Sequence, residues 1–129
     1  MYFPPSPPVP ITDETVPIPS GGGSVGGFRF MAYAADGSLV YADNRNREHM
    51  TRLAGITLGD AMEGETIRVR RSGSVSDQTF TYDITKPLFL GQNGFLVQTA
   101  PTTGIVCNVG IVNAQNEIII DIGTPTWVP

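Results

Sequence analysis

From Phe28 to the C-terminus, turn residues separate short apolar and β-branched runs about every 8–12 positions, which is the spacing of all-β domains. Polar and apolar residues alternate most clearly in Glu65–Arg70, which predicts a half-buried strand with Ile67 and Val69 facing inward. The other predicted strands are Phe28–Ala35, Leu39–Ala42, Leu53–Leu58, Val75–Tyr82, Gly104–Val112 and Glu117–Ile122. No segment has a sustained helical period. The pattern therefore predicts an all-β fold, a small antiparallel β-sandwich or barrel-like domain.

Turn residues separate these predicted strands. Asp36-Gly37 is a hairpin dipeptide, and Ser72-Gly73 predicts a second turn. In Pro87–Gln98 a short apolar run meets Asn93-Gly94, which supplies the positive φ angles that a tight hairpin needs. This segment holds no reactive group, so it indicates a binding or structural module.

The N-terminal region has a different composition. Seven of the 11 prolines lie within the first 19 residues, and the glycine-rich segment Ser20–Gly27 follows them. Because proline fixes φ and lacks an amide hydrogen, we expect an extended, polyproline-like segment that stays out of a regular sheet interior. Residues 1–26 are thus predicted to be a stiff arm on a flexible hinge, and residues 27–129 a β-domain. The alternative is a disordered tail without a role.

The arm carries more apolar side chains than a solvated tail would have. This favours an arm that lies along a partner or a sister subunit, where a tethered contact gains effective concentration. The arm residues predicted to bind the partner are Tyr2, Phe3, Val9, Ile11, Val16 and Ile18.

The charge balance narrows the choice of partners. Eight Lys and Arg against 12 Asp and Glu give a net charge of −4, which disfavours nucleic-acid binding. Arg68 and Arg70 share one face of their predicted strand, either as an exposed sheet face or as a patch for an acidic partner. Residues 87–129 contain no Lys or Arg, a segregation of charge that suits head-to-tail packing of identical subunits.

Candidate chemistry is sparse. His49, the one histidine, lies in the polar segment Asp43–Arg52, which is predicted to be a loop or a single helical turn. We expect His49 to be exposed and hydrogen-bonded locally or across a subunit contact, where it would make that contact pH-sensitive. Nucleophile-elbow and metal-ligand spacings are absent, and Cys107 is expected to be a small buried hydrophobe. The sequence predicts no enzyme activity, cofactor or metal site.

No apolar run approaches the ~18 residues of a membrane span. The proline-rich start also lacks the basic and apolar regions of a signal peptide. We therefore expect a soluble protein made in a cytoplasm, without a membrane partner.

Motifs in a fixed order run from about Ile18 to Val128. They are Ile18–Gly22, Gly27–Arg29, Asp36-Gly37 with Val40–Asp43, Arg52–Thr57, Gly64–Val69, Pro87–Gly94 with Gln98–Pro101, Val109–Ile111 and Ile118–Pro125. In this order the chain resembles small virion proteins of tailed bacteriophages, of the capsid decoration (cement) and head-fibre type. That family is not marked by catalytic residues.

The resemblance implies a structural protein on the capsid surface of a virion, made in the host cytoplasm. It would bind the assembled major capsid protein or another virion protein, and it would form a homo-oligomer, a trimer by analogy. On this hypothesis the contacts are the arm residues together with Arg45, Arg47 and His49 of the Asp43–Arg52 loop, and the loop Thr99–Thr103.

Two other functions compete with this hypothesis. A receptor- or carbohydrate-binding tip of a head or tail fibre would use aromatic rings to stack on sugars, although core packing also accounts for such rings. The candidates are Tyr33, Tyr41, Tyr82 and Trp127. An enzyme that degrades a host envelope would need a carboxylate pair or an activated nucleophile, and the sequence predicts neither.

Overall fold

The computed structural model describes residues 9–18 and 23–129. Within these ranges almost all regular structure is β-strand. The elements are β1 (Thr12–Pro17), β2 (Phe30–Tyr33), β3 (Leu39–Tyr41), a 3₁₀ helix (Arg47–Thr51), β4 (Leu53–Thr57), β5 (Thr66–Ser76), β6 (Leu88–Leu90), β7 (Leu96–Val97), β8 (Gly104–Val106), β9 (Asn108–Ala114), β10 (Glu117–Asp121) and β11 (Thr126–Val128). The all-β prediction is confirmed. None of the helices described is long and apolar enough to cross a membrane.

One large antiparallel sheet organises the chain. Its strands lie in the order β3-β2-β4-β5-β10-β9-β6-β7, β1 pairs with β5, and β8 and β11 form a separate pair. Gly94 joins the two ends of this order, because its carbonyl accepts from Phe30 N at 2.7 Å and its amide donates to Ala42 O at 2.6 Å. The sheet therefore curls into a half-barrel, as the barrel-like form of the prediction expected.

Two apolar clusters lie on opposite faces of the curled sheet. In β2 the side chains alternate, so that Phe30 and Ala32 enter the larger cluster and Met31 enters the smaller one. We call these the main core and the second core. The second core consists of Ile18, Val25, Met31, Leu39, Ala54, Ala61, Ile67 and Val69. The predicted inward orientation of Ile67 and Val69 is thus correct.

The turn predicted at Ser72-Gly73 is wrong, because β5 continues through it to Ser76. Gly73 allows a close approach between β5 and Ile11, the residue before β1: it has φ 107°, and a Cβ on it would lie 2.7 Å from Ile11 Cγ1. The pairing shifts where Thr12 faces Ser72 and Asp13 faces Arg70, which leaves Arg71 as a bulge. This extra residue changes the alternation, so Val75 faces the main core although Val69 faces the second core.

The predicted strand Val75–Tyr82 is also wrong beyond Ser76. After β5 the backbone forms side-chain-capped turns, in which Asp77 Oδ1 accepts from Thr79 N at 2.8 Å and Asp83 Oδ1 accepts from Thr85 N at 2.9 Å. These local hydrogen bonds compete with strand pairing. The apolar residues that suggested a strand, Phe80 and Tyr82, instead pack partly buried against the main core.

The hairpin prediction is confirmed in its backbone geometry. β6 and β7 pair antiparallel, and Asn93 and Gly94 between them have φ 53° and 79°. The segment 91–95 forms the loop, and Gly91 N closes it by donating to Phe95 O at 2.9 Å.

The polyproline geometry predicted for the arm is wrong at Thr12–Pro17. This segment is β1, and it pairs antiparallel with β5 over registers such as Glu14 with Val69. Residues 11–16 contain no proline, so their amides are free to pair, and Pro10 and Pro17 flank them. The first eight residues, with Tyr2 and Phe3, and residues 19–22 of the hinge lie outside the described residues.

Candidate interaction surfaces

The predicted basic face of β5 has its acidic partner within the same chain. Asp13 of β1 accepts from Arg70 through both carboxylate oxygens, at 2.8 Å from Nε and 2.9 Å from Nη2. Arg68 lies more distant, with its Nε 4.0 Å from Asp13 Oδ2. The hydrogen bonds from Arg70 lower the pKa of the Asp13 carboxyl. The pair attaches β1 to β5.

The arm residues divide into two groups. Ile18 is buried and Val16 half-buried in the second core, so both side chains pack within their own chain. Ile11, by contrast, is 60% exposed. Val9 lines a cavity together with Ile111 of β9 and Ile119 of β10. The prediction that these residues bind a partner stays a prediction, and among the described arm contacts Ile11 is the one whose side chain is mostly exposed.

The segment Asp43–Arg52 contains the 3₁₀ helix. Arg45 forms a two-pronged ion pair with Asp43, with distances of 2.9 Å and 2.8 Å, and Asp43 Oδ2 also accepts from Asn93 N at 3.1 Å. The hydrogen bonds from Arg45 hold the pKa of Asp43 well below its ordinary value. Arg47 places its guanidinium 5.5 Å from the centre of the Trp127 ring. This segment is thus fastened to the β6–β7 hairpin through Asp43.

The expectation that His49 is exposed is wrong. It lies within the 3₁₀ helix and is only 8% exposed. Its Nδ1 accepts a hydrogen bond of 3.0 Å from the backbone amide of Asp43. Burial lowers the pKa of His49, which favours the neutral ring that can accept this bond. The local hydrogen bond was predicted correctly, and it joins the start of the Asp43–Arg52 segment to the 3₁₀ helix.

Sequence reasoning missed the surface that Phe95 and Val97 form. The β6–β7 hairpin and residues 99–102 enclose an open groove of about 760 Å³, which Phe95 and Val97 line. Their side chains are 57% and 36% exposed. An apolar run around Asn93-Gly94 gave no signal that these two side chains face outward. Residues 99–102 of the predicted contact loop Thr99–Thr103 line this groove.

The four aromatic residues proposed to stack on sugars do not all line one cavity among those found in the described residues. Tyr33 and Tyr41 border a small cavity of about 330 Å³ near His49, and neither Tyr82 nor Trp127 is among its lining residues. The Tyr33 hydroxyl donates to Glu14 at 2.6 Å, and the Tyr41 hydroxyl accepts from Gly26 N at 2.9 Å. Their polar groups are thus engaged within the chain.

The described residues contain no group of three or more His, Cys, Asp or Glu side chains that could hold a metal ion. Cys107 is buried, as predicted, and burial raises the pKa of its thiol. Its Sγ lies 3.5 Å from the Gly123 carbonyl oxygen, within the main core. Cys107 is thus a core side chain.

No protein-family model matches the sequence, and no match was found among the curated proteins. Among solved structures, the chain is similar to the head fiber gp8.5 N base of bacteriophage phi29. The TM-score is 0.50 and 16% of residues are identical, over 86% of this chain and 94% of that chain. The two chains share a fold. The resemblance predicted from the sequence is thus supported at the level of architecture.

Proposed function

We propose that this protein is a structural virion protein of a tailed bacteriophage that decorates or cements the capsid by binding the assembled major capsid protein. The observation that carries the proposal is the fold shared with the head fiber gp8.5 N base, which extends over most of both chains. The ordered motifs of the sequence support the same class of protein. The role is structural rather than catalytic.

A protein of this kind stabilises a shell by mass action. It binds the assembled state and not the free subunits, so each bound copy shifts the equilibrium toward the shell. A homo-oligomer, a trimer by analogy, would add the contacts of several copies without requiring any single contact to be strong.

The N-terminal arm supplies one contact in this proposal. β1 holds the base of the arm on β5 through strand pairing and the Asp13–Arg70 ion pair. The contact therefore falls on the residues that precede β1, including the exposed Ile11. In addition to the arm, Arg45 is a second candidate for a capsid contact, because its side chain is 59% exposed.

Co-sedimentation tests the proposal. The full-length protein is mixed with assembled capsids and, separately, with unassembled major capsid protein. We expect it to pellet with the capsids alone. Failure to bind assembled capsids would overturn the proposed function.

A variant that lacks residues 1–8 tests the arm, because it retains β1 and Pro10, whose carbonyl accepts from Ser72 Oγ at 2.6 Å. We expect its capsid affinity to fall by roughly tenfold or more, the effect of losing one tethered contact. Ile84→Ser, at an exposed apolar residue of the β-domain, is the control and should bind as the wild type does. Unchanged affinity of the shortened protein would exclude residues 1–8 as a contact.

A further inference from the structure

The outer face of β9 and β10 is apolar. β10 reads Glu-Ile-Ile-Ile-Asp, and its Ile118 and Ile120 enter the main core. Because side chains alternate along a strand, Ile119 lies on the opposite face, where it pairs directly with Ile111 of β9. A strand with one solvated face normally carries polar residues on that face. Isoleucine on both faces of β10 is typical of a strand that is covered on both sides.

The main core covers the inner face of β10 and leaves the outer one open. Ile111 is 52% exposed, and Ile119 belongs to neither apolar core. Together with Val9 they line a cavity of about 350 Å³. We call Ile111, Ile119 and this cavity the isoleucine face. Exposed apolar surfaces of this kind mark interaction sites.

Two charged side chains of opposite sign border the isoleucine face. Asp121 follows Ile119 by two positions on the same side of β10 and lines the same cavity. It also lines an adjoining cavity of about 510 Å³, together with Arg71 of β5. Both charged residues are exposed, and within the described ranges neither forms an ion pair. The border therefore offers one acidic and one basic group to a partner.

Local structure holds Arg71 at this border. Arg71 is the bulged residue of β5, and a bulge redirects a side chain relative to regular alternation. Its Nη1 donates to Leu53 O at 2.9 Å, which fixes one end of the guanidinium. The remaining N–H donors of this planar group are available to a carboxylate.

The mixed charge favours a second copy of this chain as the partner. A surface of one sign would attract either Asp121 or Arg71 and repel the other, whereas a second copy carries both signs. Closed oligomers repeat one contact in every copy. Rotation about an axis beside the isoleucine face would place Arg71 of one copy on Asp121 of the next and bring the isoleucines together. The same pairing serves a dimer or a trimer.

We propose that the isoleucine face, bordered by Arg71 and Asp121, is the interface through which copies of this chain associate. Burial of Ile111 and Ile119 stabilises the contact, and the pairs of Arg71 with Asp121 fix its register. The inference rests on the homo-oligomer of the proposed function and names its interface. It makes no use of the capsid contact.

Sedimentation velocity of the full-length protein over a range of concentrations gives the first test. We expect an oligomer, and Ile111→Ser should weaken its association roughly tenfold or more, since an apolar contact at the interface is lost. Met62→Ser is the control, because Met62 is 67% exposed and lines neither cavity, so association should be unchanged. A wild-type protein that stays monomeric, or association that Ile111→Ser leaves unchanged, would overturn the proposal.

Charge reversal tests the pairing between copies. Arg71→Glu and Asp121→Arg should each weaken association, and the protein with both substitutions should regain most of it. Arg71 and Asp121 form no ion pair with each other in one chain, so recovery reports a contact between copies. Urea unfolding shows whether each variant folds. A folded double variant without recovery would overturn the proposed pairing.

Co-sedimentation with capsids separates this inference from the proposed function. A wild-type protein that associates through the isoleucine face but does not pellet with capsids would overturn the proposed function alone. A protein that pellets with capsids yet stays monomeric in solution would overturn the proposed interface alone.

Discussion

Asp13 and Arg70 form a two-pronged ion pair that joins β1 to β5, with distances of 2.8 Å and 2.9 Å. The Arg70 side chain is 17% exposed, and its Nη1 also donates to Ser74 O at 2.6 Å. Arg70 therefore links Asp13 of β1 to the backbone of β5. Removal of the Asp13 carboxylate would leave Arg70 Nε and Nη2 without this acceptor.

We expect Asp13→Asn to lower the free energy of unfolding by about 1–2 kcal/mol, because it removes a charge-assisted hydrogen bond. Arg68→Gln is the matched control: Arg68 is 64% exposed and 4.0 Å from Asp13, so its loss should cost less than about 0.5 kcal/mol. Urea unfolding of the three proteins measures both values. Equal losses in the two variants would show that the short contact has no special role.

Gly73→Ala tests the close approach of β1 to β5. A Cβ at Gly73 would lie 2.7 Å from Ile11 Cγ1 and 2.9 Å from Ile11 Cα, at φ 107°. Gly37 has a comparable positive φ of 86°, and a Cβ on it would meet nothing within 4 Å. Gly37→Ala therefore measures the cost of backbone strain alone. We expect Gly73→Ala to cost about 1–3 kcal/mol more than the roughly 1 kcal/mol of Gly37→Ala. Thermal unfolding measures the difference, and a similar loss at both positions would contradict the close packing of β1.

Burial of His49 makes stability depend on pH. Its pKa is lowered in the folded protein, so the unfolded chain takes up the proton first as the pH falls. The stability contribution is complete above the ordinary histidine pKa of about 6.5 and is lost as the pH falls through the lower folded pKa. The nearby charges of Asp43 and Glu48 raise this pKa and that of Arg52 lowers it, but burial has the largest effect.

The test of His49 is the free energy of unfolding measured between pH 7.5 and about 5, a range that brackets the ordinary pKa. We expect the wild type to lose stability across this range. His49→Asn should lose less, because its amide oxygen can accept from Asp43 N without titrating. Since the chain has one histidine, the same pH dependence in both proteins would assign the effect to other groups.

Arg29→Lys tests the stacking that holds the β6–β7 hairpin. The guanidinium of Arg29 lies 4.1 Å from the Tyr41 ring centre and 3.8 Å from that of Phe95. Lysine keeps the charge but loses the planar stacking and the hydrogen bond from Arg29 Nε to Asn93 O, so we expect a loss of about 1–2 kcal/mol. Arg47 lies farther from its ring, 5.5 Å from the centre of Trp127, so Arg47→Lys should lower the free energy of unfolding by less. Urea unfolding of both variants measures the two losses. The reverse order would contradict the role of Arg29.

Local rules predicted the parts of the fold that depend on neighbouring residues. The alternation of Glu65–Arg70 placed Ile67 and Val69 correctly, because strand side chains alternate whatever they pack against. Asn93-Gly94 predicted the positive φ angles of the hairpin, since few other residues tolerate them. Both signals lie within a few residues of the feature that they predict.

Contacts between distant segments decided the rest. Gly73 resembled a turn residue, and its close approach to Ile11 depends on a strand some 60 positions earlier in the sequence. The burial of His49 likewise depends on distant segments, because β8 and β11 contact the 3₁₀ helix that holds it. A sequence pattern records which residues are apolar or flexible. Which of them meet is determined by the pairing of β1 with β5 and by the closure at Gly94, and these bring together segments far apart in the chain.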